Sequence, residues 1–283
     1  MELDDLFASD KYEDVLKFYD SFTNKEELIA WMRNRPSEKA NIKVVEGDTK
    51  CVVVIPTKDF NGKLANHCKE IYKGLTIVFN TSSGKYWNYA RAVNQAYEYA
   101  IKHYNPKWVI VSNDDIIKID NLPGLILELD KHSDKALIHI EHNHNNIFCI
   151  SKESVIRRLG MALGIIDSTR HKLFKKFGVK YIPIPIERKR DRLFYNKVSE
   201  PIRNVRDMFI INTSFFKDKI FDEVFINEAE DVELSLRVKD NSEYLKDFKV
   251  YCMQGSSLGN DKLRRLKSVA SLVYLQEKIK GLI

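Results

Sequence analysis

The sequence predicts an α/β fold with a mostly parallel central sheet flanked by helices, and three observations carry that expectation. Short β-branched runs alternate with longer amphipathic stretches from Cys51 onward, the pattern of strand-helix-strand units. The runs are apolar throughout rather than alternating, so their strands should be covered on both faces. Polar segments follow them at Thr57 to Asn61, Asn80 to Tyr86 and Asn113 to Ile116, and sheets of this kind bind ligands at the carboxyl ends of their strands.

Taken in order, Val15, Leu16, Phe18, Tyr19 and Phe22, then Leu28, Ile29, Trp31 and Met32, recur at helical spacing until Asn34-Arg35-Pro36-Ser37 ends the pattern, which makes residues 1–48 a helical N-terminal appendage. CVVVIP, LTIVF and WVIVS read as strands, separated by helices near Lys63 to Lys73 and from Tyr86 to Tyr104. A helix from Leu122 to Lys131, an extended pair at Ala136 to His142 and Asn146 to Ile150, and a helix from Glu153 to Leu163 come next. Residues 170–206 are basic and irregular, and Ile182-Pro183-Ile184-Pro185 within them fits a loop or an edge strand but no helix. MFIIN is a strand, a helix runs from Ala229 to Lys239, FKVYCM is a strand, and residues 261–283 form an amphipathic C-terminal helix from Lys262 to Lys280.

The composition narrows the classes. With 283 residues and 44% hydrophobic content the chain can bury a substantial core. No stretch approaches the roughly 20 apolar residues of a membrane span, and the acidic N-terminus lacks the pattern of a signal peptide. Cys51, Cys68, Cys149 and Cys252 are scattered, so neither a zinc ribbon nor a disulfide scaffold is expected; reduced, buried thiols in a cytoplasm are. The net charge of +6 is concentrated between Arg170 and Arg206, a surface that would attract phosphates.

Two segments carry candidate chemistry. Ser112-Asn113-Asp114-Asp115 follows WVIVS directly, so a carboxylate should project from the strand end into the ligand crevice, where Mg2+ or Mn2+ would find a hard oxygen ligand. A strand-ending turn is the plainer reading. Glu228-Ala229-Glu230-Asp231-Val232-Glu233 opens a helix with four acids, more than favourable interaction with the helix dipole requires, and a carboxylate there could act as a general base.

In sequence order these segments resemble the family 2 glycosyltransferases with the GT-A type of fold, over roughly Cys51 to Asn260. CVVVIPT resembles the family's first strand, LTIVFNTSSGKYWNYARAVNQAYEYA its second strand and Asn-x-Ala-x-Ala-x-Asn helix, and VIVSNDDI its Asp-x-Asp or Asn-x-Asp element. FDEVFINEAEDVELSLRV is similar to the family's acidic segment, with Phe221, Asp222, Glu223, Glu230, Asp231, Glu233 and Arg237 in the matching places. The resemblance implies a GT-A-type, Rossmann-like sheet and metal-dependent, inverting transfer from a nucleoside-diphosphate sugar to a hydroxyl of a glycan, a lipid-linked acceptor or a protein. It implies that Asp115 holds Mn2+ or Mg2+, and that Thr57, Asn80, Asn88, Asn113 and Asp114 contact or shape the nucleotide pocket. Asp231 would be the base and Glu230 would position acceptor or base. The chain departs from the family at Gln254, where many members place a metal-binding His, and at Asn80, where many have Asp.

Weaker signals have plainer readings. His139, Glu141, His142 and His144 fit no strong zinc motif and read as a strand approaching a turn. Tyr86, Trp87, Tyr89, Tyr97 and Tyr99 read as helix packing. The C-terminal helix, with Lys262, Arg264, Arg265 and Lys267 beside Leu263, Leu266 and Val269, could lie peripherally on an anionic membrane, and a solvated basic face explains it equally. Nucleic acid is disfavoured, since only charge points to it. Two rival functions remain: a metal-dependent nuclease or nucleotidyltransferase built on Asp114, Asp115 and the Glu230 cluster, and a non-catalytic carbohydrate-binding or scaffold protein.

Overall fold

The computed structural model describes residues 1–144, 146–166, 168–186, 194–253 and 262–282. Three helices open the chain: α1 (Leu3–Ala8), α2 (Tyr12–Asp20) and α3 (Lys25–Asn34). Strands β1 (Ile42–Val45) and β2 (Asp48–Pro56), helix α4 (Lys63–Ile71), strand β3 (Leu75–Asn80), helix α5 (Tyr89–Tyr104) and strand β4 (Trp108–Ser112) follow. Then come β5 (Ile116–Ile119), α6 (Leu122–Leu129), β6 (Leu137–His142), β7 (Ile147–Glu153), α7 (Val155–Ala162) and α8 (Thr169–Phe177). Short strands β8 (Ile182–Pro185), β9 (Tyr195–Lys197) and β10 (Ile202–Arg203) precede β11 (Met208–Asn212), helix α9 (Glu230–Val238), β12 (Ser242–Cys252) and helix α10 (Lys262–Lys278).

The main sheet has eight strands in the order β1-β3-β2-β4-β11-β6-β12-β5. Strands β2, β3, β4, β6 and β12 run one way, and β1, β11 and β5 run the other. This is the mixed, mostly parallel α/β architecture that the sequence predicts. Its apolar strands are covered on both faces for the reason the sequence suggests. Along β2, Cys51, Val53 and Ile55 point to one layer with Ala65 and Cys68 of α4 and Leu125 and Leu129 of α6. Val52 and Val54 point to the other, against Ala90, Val93, Ala96 and Tyr97 of α5.

A second, antiparallel sheet is formed by β10, β7 and β8, with β9 also on β7. The extended segments at 137–142 and 147–153 therefore do not pair with each other, as their closeness in sequence suggested. The first joins the main sheet between β11 and β12, while the second turns away to found the small sheet. The Ile-Pro-Ile-Pro run is an edge strand, which suits residues without a backbone N–H to donate. Part of the basic segment is helical after all, in α8, which ends at Gly178 with φ +71°. Helix α5 begins three residues later than its periodicity suggests, because the Asn88 side chain caps it by accepting from Arg91 N.

A third core joins α2, α3, α8, α10 and the small sheet. Phe18 meets Trp31 edge-on at 4.6 Å between ring centres, and buried Arg35 lies 5.2 Å from Trp31 while pairing with Asp4 at 3.1 Å. Leu266 and Val269 of α10 are buried in this core, so these apolar residues of the helix are turned inward. Among the described residues no helix is long and apolar enough to cross a membrane. The four cysteines are free and buried.

The fully buried Tyr19 joins the two ends of the chain. Its hydroxyl bonds to Leu266 O at 2.8 Å and accepts from Ala270 N at 3.0 Å. Tyr19→Phe strips these partners of the hydroxyl and is expected to lower stability by about 1–2 kcal/mol. Urea unfolding reads the change, and a midpoint equal to the parent's would show that the hydroxyl does not hold α10.

Candidate active site

The site lies where the carboxyl ends of β2 and β4, the amino ends of α5 and α9, and the start of β11 meet. Strand β11 runs antiparallel to β4, with Met208 opposite Ser112, so its first residue is delivered to the edge where β4 ends. The backbone of Asn113 donates to Asp207 O at 2.7 Å, and the Asn113 amide donates to Asp207 Oδ1 at 3.3 Å. Asp114 accepts from the Thr57 hydroxyl at 2.7 Å, linking the ends of β2 and β4, and burial raises its pKa. Asp115 is 5% exposed, and its carbonyl accepts from Met253 N at 3.0 Å. The strand-end motif is thus tied to β12 as well.

Tyr89, in the first turn of α5, connects this strand edge to the acidic helix. Its hydroxyl donates to Asn113 Oδ1 at 2.8 Å. Burial first, and then the charges of Glu230, Asp207, Asp231 and Asp115, push its titration far above the ordinary tyrosine range. A single phenol therefore senses carboxylates from three separate elements.

Helix α9 presents Glu230 and Asp231 in its first turn, stabilised there by the helix dipole. Two left-handed residues set its entry angle, Asn227 at φ +55° and Ala229 at φ +69°. For alanine that backbone costs about 1–2 kcal/mol, so the turn needs external support. Asn227 Oδ1 accepts from Tyr89 N at 2.8 Å, and the Asn88 amide donates to the carbonyls of Glu223, at 3.2 Å, and Phe225. Strain held in place beside a cluster of carboxylates is a common property of functional sites.

The two acids of α9 occupy different surroundings. Asp231 Oδ2 accepts from Asn204 Nδ2 at 2.7 Å, and its Oδ1 from Val232 N at 2.8 Å. Asn204 is held in turn by the Ser235 hydroxyl at 3.0 Å, one helical turn along α9. Glu230 is buried, and its Oε2 makes no hydrogen bond among the described residues. Burial, and then the charge of Asp231, push its carboxyl up to about 8. At neutral pH Glu230 is mainly a protonated donor.

Thr57 bonds Asp114 at the strand ends, Asn113 bonds Tyr89, and Asp115, Glu230 and Asp231 all bear on Tyr89. Asn80 is different. Its amide donates to Ala92 O and Gln95 Oε1, at 3.0 and 2.9 Å, and its Oδ1 accepts from Ser82 N at 2.9 Å, with no exposed surface. It pins β3 to α5 rather than presenting an amide to a nucleotide, which corrects the contact expected of it. Asn88 is a helix cap and a clamp on the 223–225 loop. Gln254 lies outside the described residues.

Sequence reasoning missed Tyr89, Asp207 and Asn204. Tyr89 was assigned to packing, although its place directly after the capping Asn88, at the strand-end edge, was a usable signal. Asp207 precedes its strand rather than following one, and an antiparallel strand brings its beginning to the edge where parallel neighbours end.

No protein-family model and no curated protein matches the sequence. Among solved structures, S. aureus TarS 1-349 is similar to this chain, with a TM-score of 0.39 and 12% identity over 82% of this chain and 73% of that one.

The raised Glu230 pKa makes stability depend on pH. The folded state keeps a proton that an ordinary glutamate, with a pKa of 4.5, has already released, so this contribution is full below about pH 4.5 and is lost as pH rises through about 8. Glu230→Gln cannot ionise. The variant is therefore expected to gain stability relative to the parent between pH 5 and 9 in urea titrations, and parallel pH profiles would show that Glu230 titrates normally.

Proposed function

We propose that the chain is a glycosyltransferase that moves a sugar from a nucleoside diphosphate to an acceptor hydroxyl with inversion. The observation that carries this reading is the convergence on Tyr89 of the strand-end group Asn113 to Asp115 and the helix-start pair Glu230 and Asp231. One edge can hold a diphosphate and its cation while the other handles an acceptor proton.

The donor set suits Mn2+ or Mg2+. Asp115 is a hard-oxygen ligand held at the strand end with Asn113 and Asp114 beside it, and hard divalent ions commonly need only one or two protein carboxylates. Such an ion, when bound, would stabilise the negative charge that develops on a departing diphosphate. The protein's own groups perform the rest. Asp231, oriented by Asn204, accepts the proton of the acceptor hydroxyl as that oxygen bonds to the anomeric carbon and the carbon–phosphate oxygen bond breaks. Attack from the face opposite the leaving group inverts the anomeric centre without a covalent enzyme intermediate. Protonated Glu230 donates a hydrogen bond from its unpartnered Oε2 to the acceptor or sugar and so keeps it in line.

Basic residues near the acids support a phosphate-bearing substrate. Arg264, Arg170 and Arg206 all bear electrostatically on Glu228, two residues before Glu230, although burial is the larger influence on that carboxyl and raises its pKa. They come from α10 and from the basic segment.

Calorimetry against a panel of nucleoside-diphosphate sugars, with and without Mn2+, tests the reading. One donor class should bind with metal and lose that binding in Asp115→Ala. In Asp231→Asn, turnover with that donor should fall by about 10²–10⁴-fold while donor binding persists. If no donor binds the parent under either condition, the proposal fails.

A further inference from the structure

The turn that ends β6 carries chemistry that the proposed reaction does not use. Residues two apart in an extended chain project to the same side, and the rings of His142 and His144 lie 5.6 Å apart. Asn143 between them is tied to β12: its amide nitrogen donates to Cys252 O at 3.2 Å and its Oδ1 accepts from Cys252 N at 3.1 Å, and the same Oδ1 lies 3.2 Å from His144 Nδ1. This two-point clamp to β12 fixes the orientation of the turn. The third member arrives across the ladder, because β11 is antiparallel to β6, with Ile210 opposite Ile138, and so starts beside the end of β6. The residue just before that start is Asp207.

His144 Nε2 lies 2.9 Å and His142 Nδ1 3.8 Å from Asp207 Oδ2, and one ligand atom from each of the three residues lies within 4.8 Å of the others. His142 is 5% exposed. Asp207 Oδ2 thus has His144 as its near partner, while His142 Nδ1 stays beyond hydrogen-bond distance of that oxygen. A shared cation would bring the more distant imidazole onto the same carboxylate. Ligand bonds of roughly 2.0–2.2 Å put neighbouring donor atoms roughly 3–4 Å apart, so small side-chain rotations close the set. The buried thiol of Cys252 hydrogen-bonds to Asp207, adding a soft donor to the neighbourhood.

We propose that His142, His144 and Asp207 form a binding site for a divalent transition metal of the zinc class. Two imidazoles and one carboxylate select a borderline ion over Mg2+, and three protein ligands leave a coordination position open for water or a ligand oxygen. The site is distinct in donor type from Asp115 and is joined to the crevice through the bonds between Asp207 and Asn113. It does not rest on the sugar-transfer reading.

Cobalt(II), a spectroscopic substitute for zinc, provides the test. The full chain, stripped by chelator, is titrated with Co2+ while visible absorption is followed, and Zn2+ is then added as competitor. The parent should bind about one Co2+ with a band typical of low coordination number, and Zn2+ should displace it. His144→Gln and Asp207→Asn should each weaken binding at least about tenfold, with circular dichroism confirming that each variant is folded. Asp115→Asn should retain the band. The proposal is overturned if the parent binds no Co2+ up to millimolar concentration, or if Asp115→Asn abolishes the band while folded His144→Gln keeps it. His144 sits on a turn outside the cores, so that substitution decides the matter even if Asp207→Asn fails to fold. Loss of donor-sugar binding in the preceding experiment would leave these outcomes unaffected.

Discussion

The crevice is governed by the mutual repulsion of carboxylates gathered in a poorly solvated place. Asp115, Asp207, Glu230 and Asp231 all act on the buried phenol of Tyr89, and Glu230 responds to burial and to Asp231 by keeping its proton to about pH 8. Folding alone would not collect acids in this way, since each one adds a desolvation cost and like charges within a few ångströms oppose one another. The assembly is stable because hydrogen bonds saturate part of it: Thr57 on Asp114, Asn204 and Val232 on Asp231, Asn113 on Asp207. What they leave over is a demand for positive charge, which a proton, a cation or a basic side chain can meet.

The fold's contribution is to make that arrangement rigid. Helix α9 is nearly all interior, with Val232 and Leu236 packed into the core of the N-terminal helices and α10, and Leu234 and Val238 packed into the layer under α5. Its inward-facing Glu233 is balanced by Arg237 at 3.0 Å, whose guanidinium also reaches Ile220 O at 2.7 Å. A helix wedged between two cores cannot rotate without disturbing both, so its first-turn acids stay where the strained Ala229 turn aims them. The N-terminal helices thereby matter to the site although none of their residues reaches it: they complete the core against which α9 is seated.

Much of this was legible in the sequence, and the omissions share a cause. Continuous apolar runs revealed β2, β3, β4 and β11 because burial on both faces leaves no other composition. The acidic start of α9 was legible because four acids exceed what a helix dipole calls for. Short strands such as β5, β9 and β10 were not, since their pairing depends on partners distant in the chain. For the same reason Asp207 and the two histidines stayed unconnected: a strand's direction decides which of its ends reaches the crevice, and periodicity carries no information about direction. Asn80 was misassigned because an amide at a strand end can face a ligand or turn inward with equal ease. Only the positions of Ala92 and Gln95 decide between them.

An acidic crevice proposed to receive a diphosphate raises a problem of charge that constrains the order of events. A phosphate cannot approach unneutralised carboxylates in a medium of low effective dielectric without a large electrostatic cost. Arg264, Arg170 and Arg206 act on Glu228 at the helix end, and Arg206 acts on Asp207 as well. If the site takes a diphosphate as proposed, a cation held there would have to arrive before the phosphate or together with it. Protonation of Glu230 relieves the helix end in the same sense, and it does so without occupying the space a sugar would need. On the proposed reading, cation, proton and arginines would divide one task by position, and a substrate that is anionic at one end and neutral at the other would fit that division better than a uniformly charged polymer.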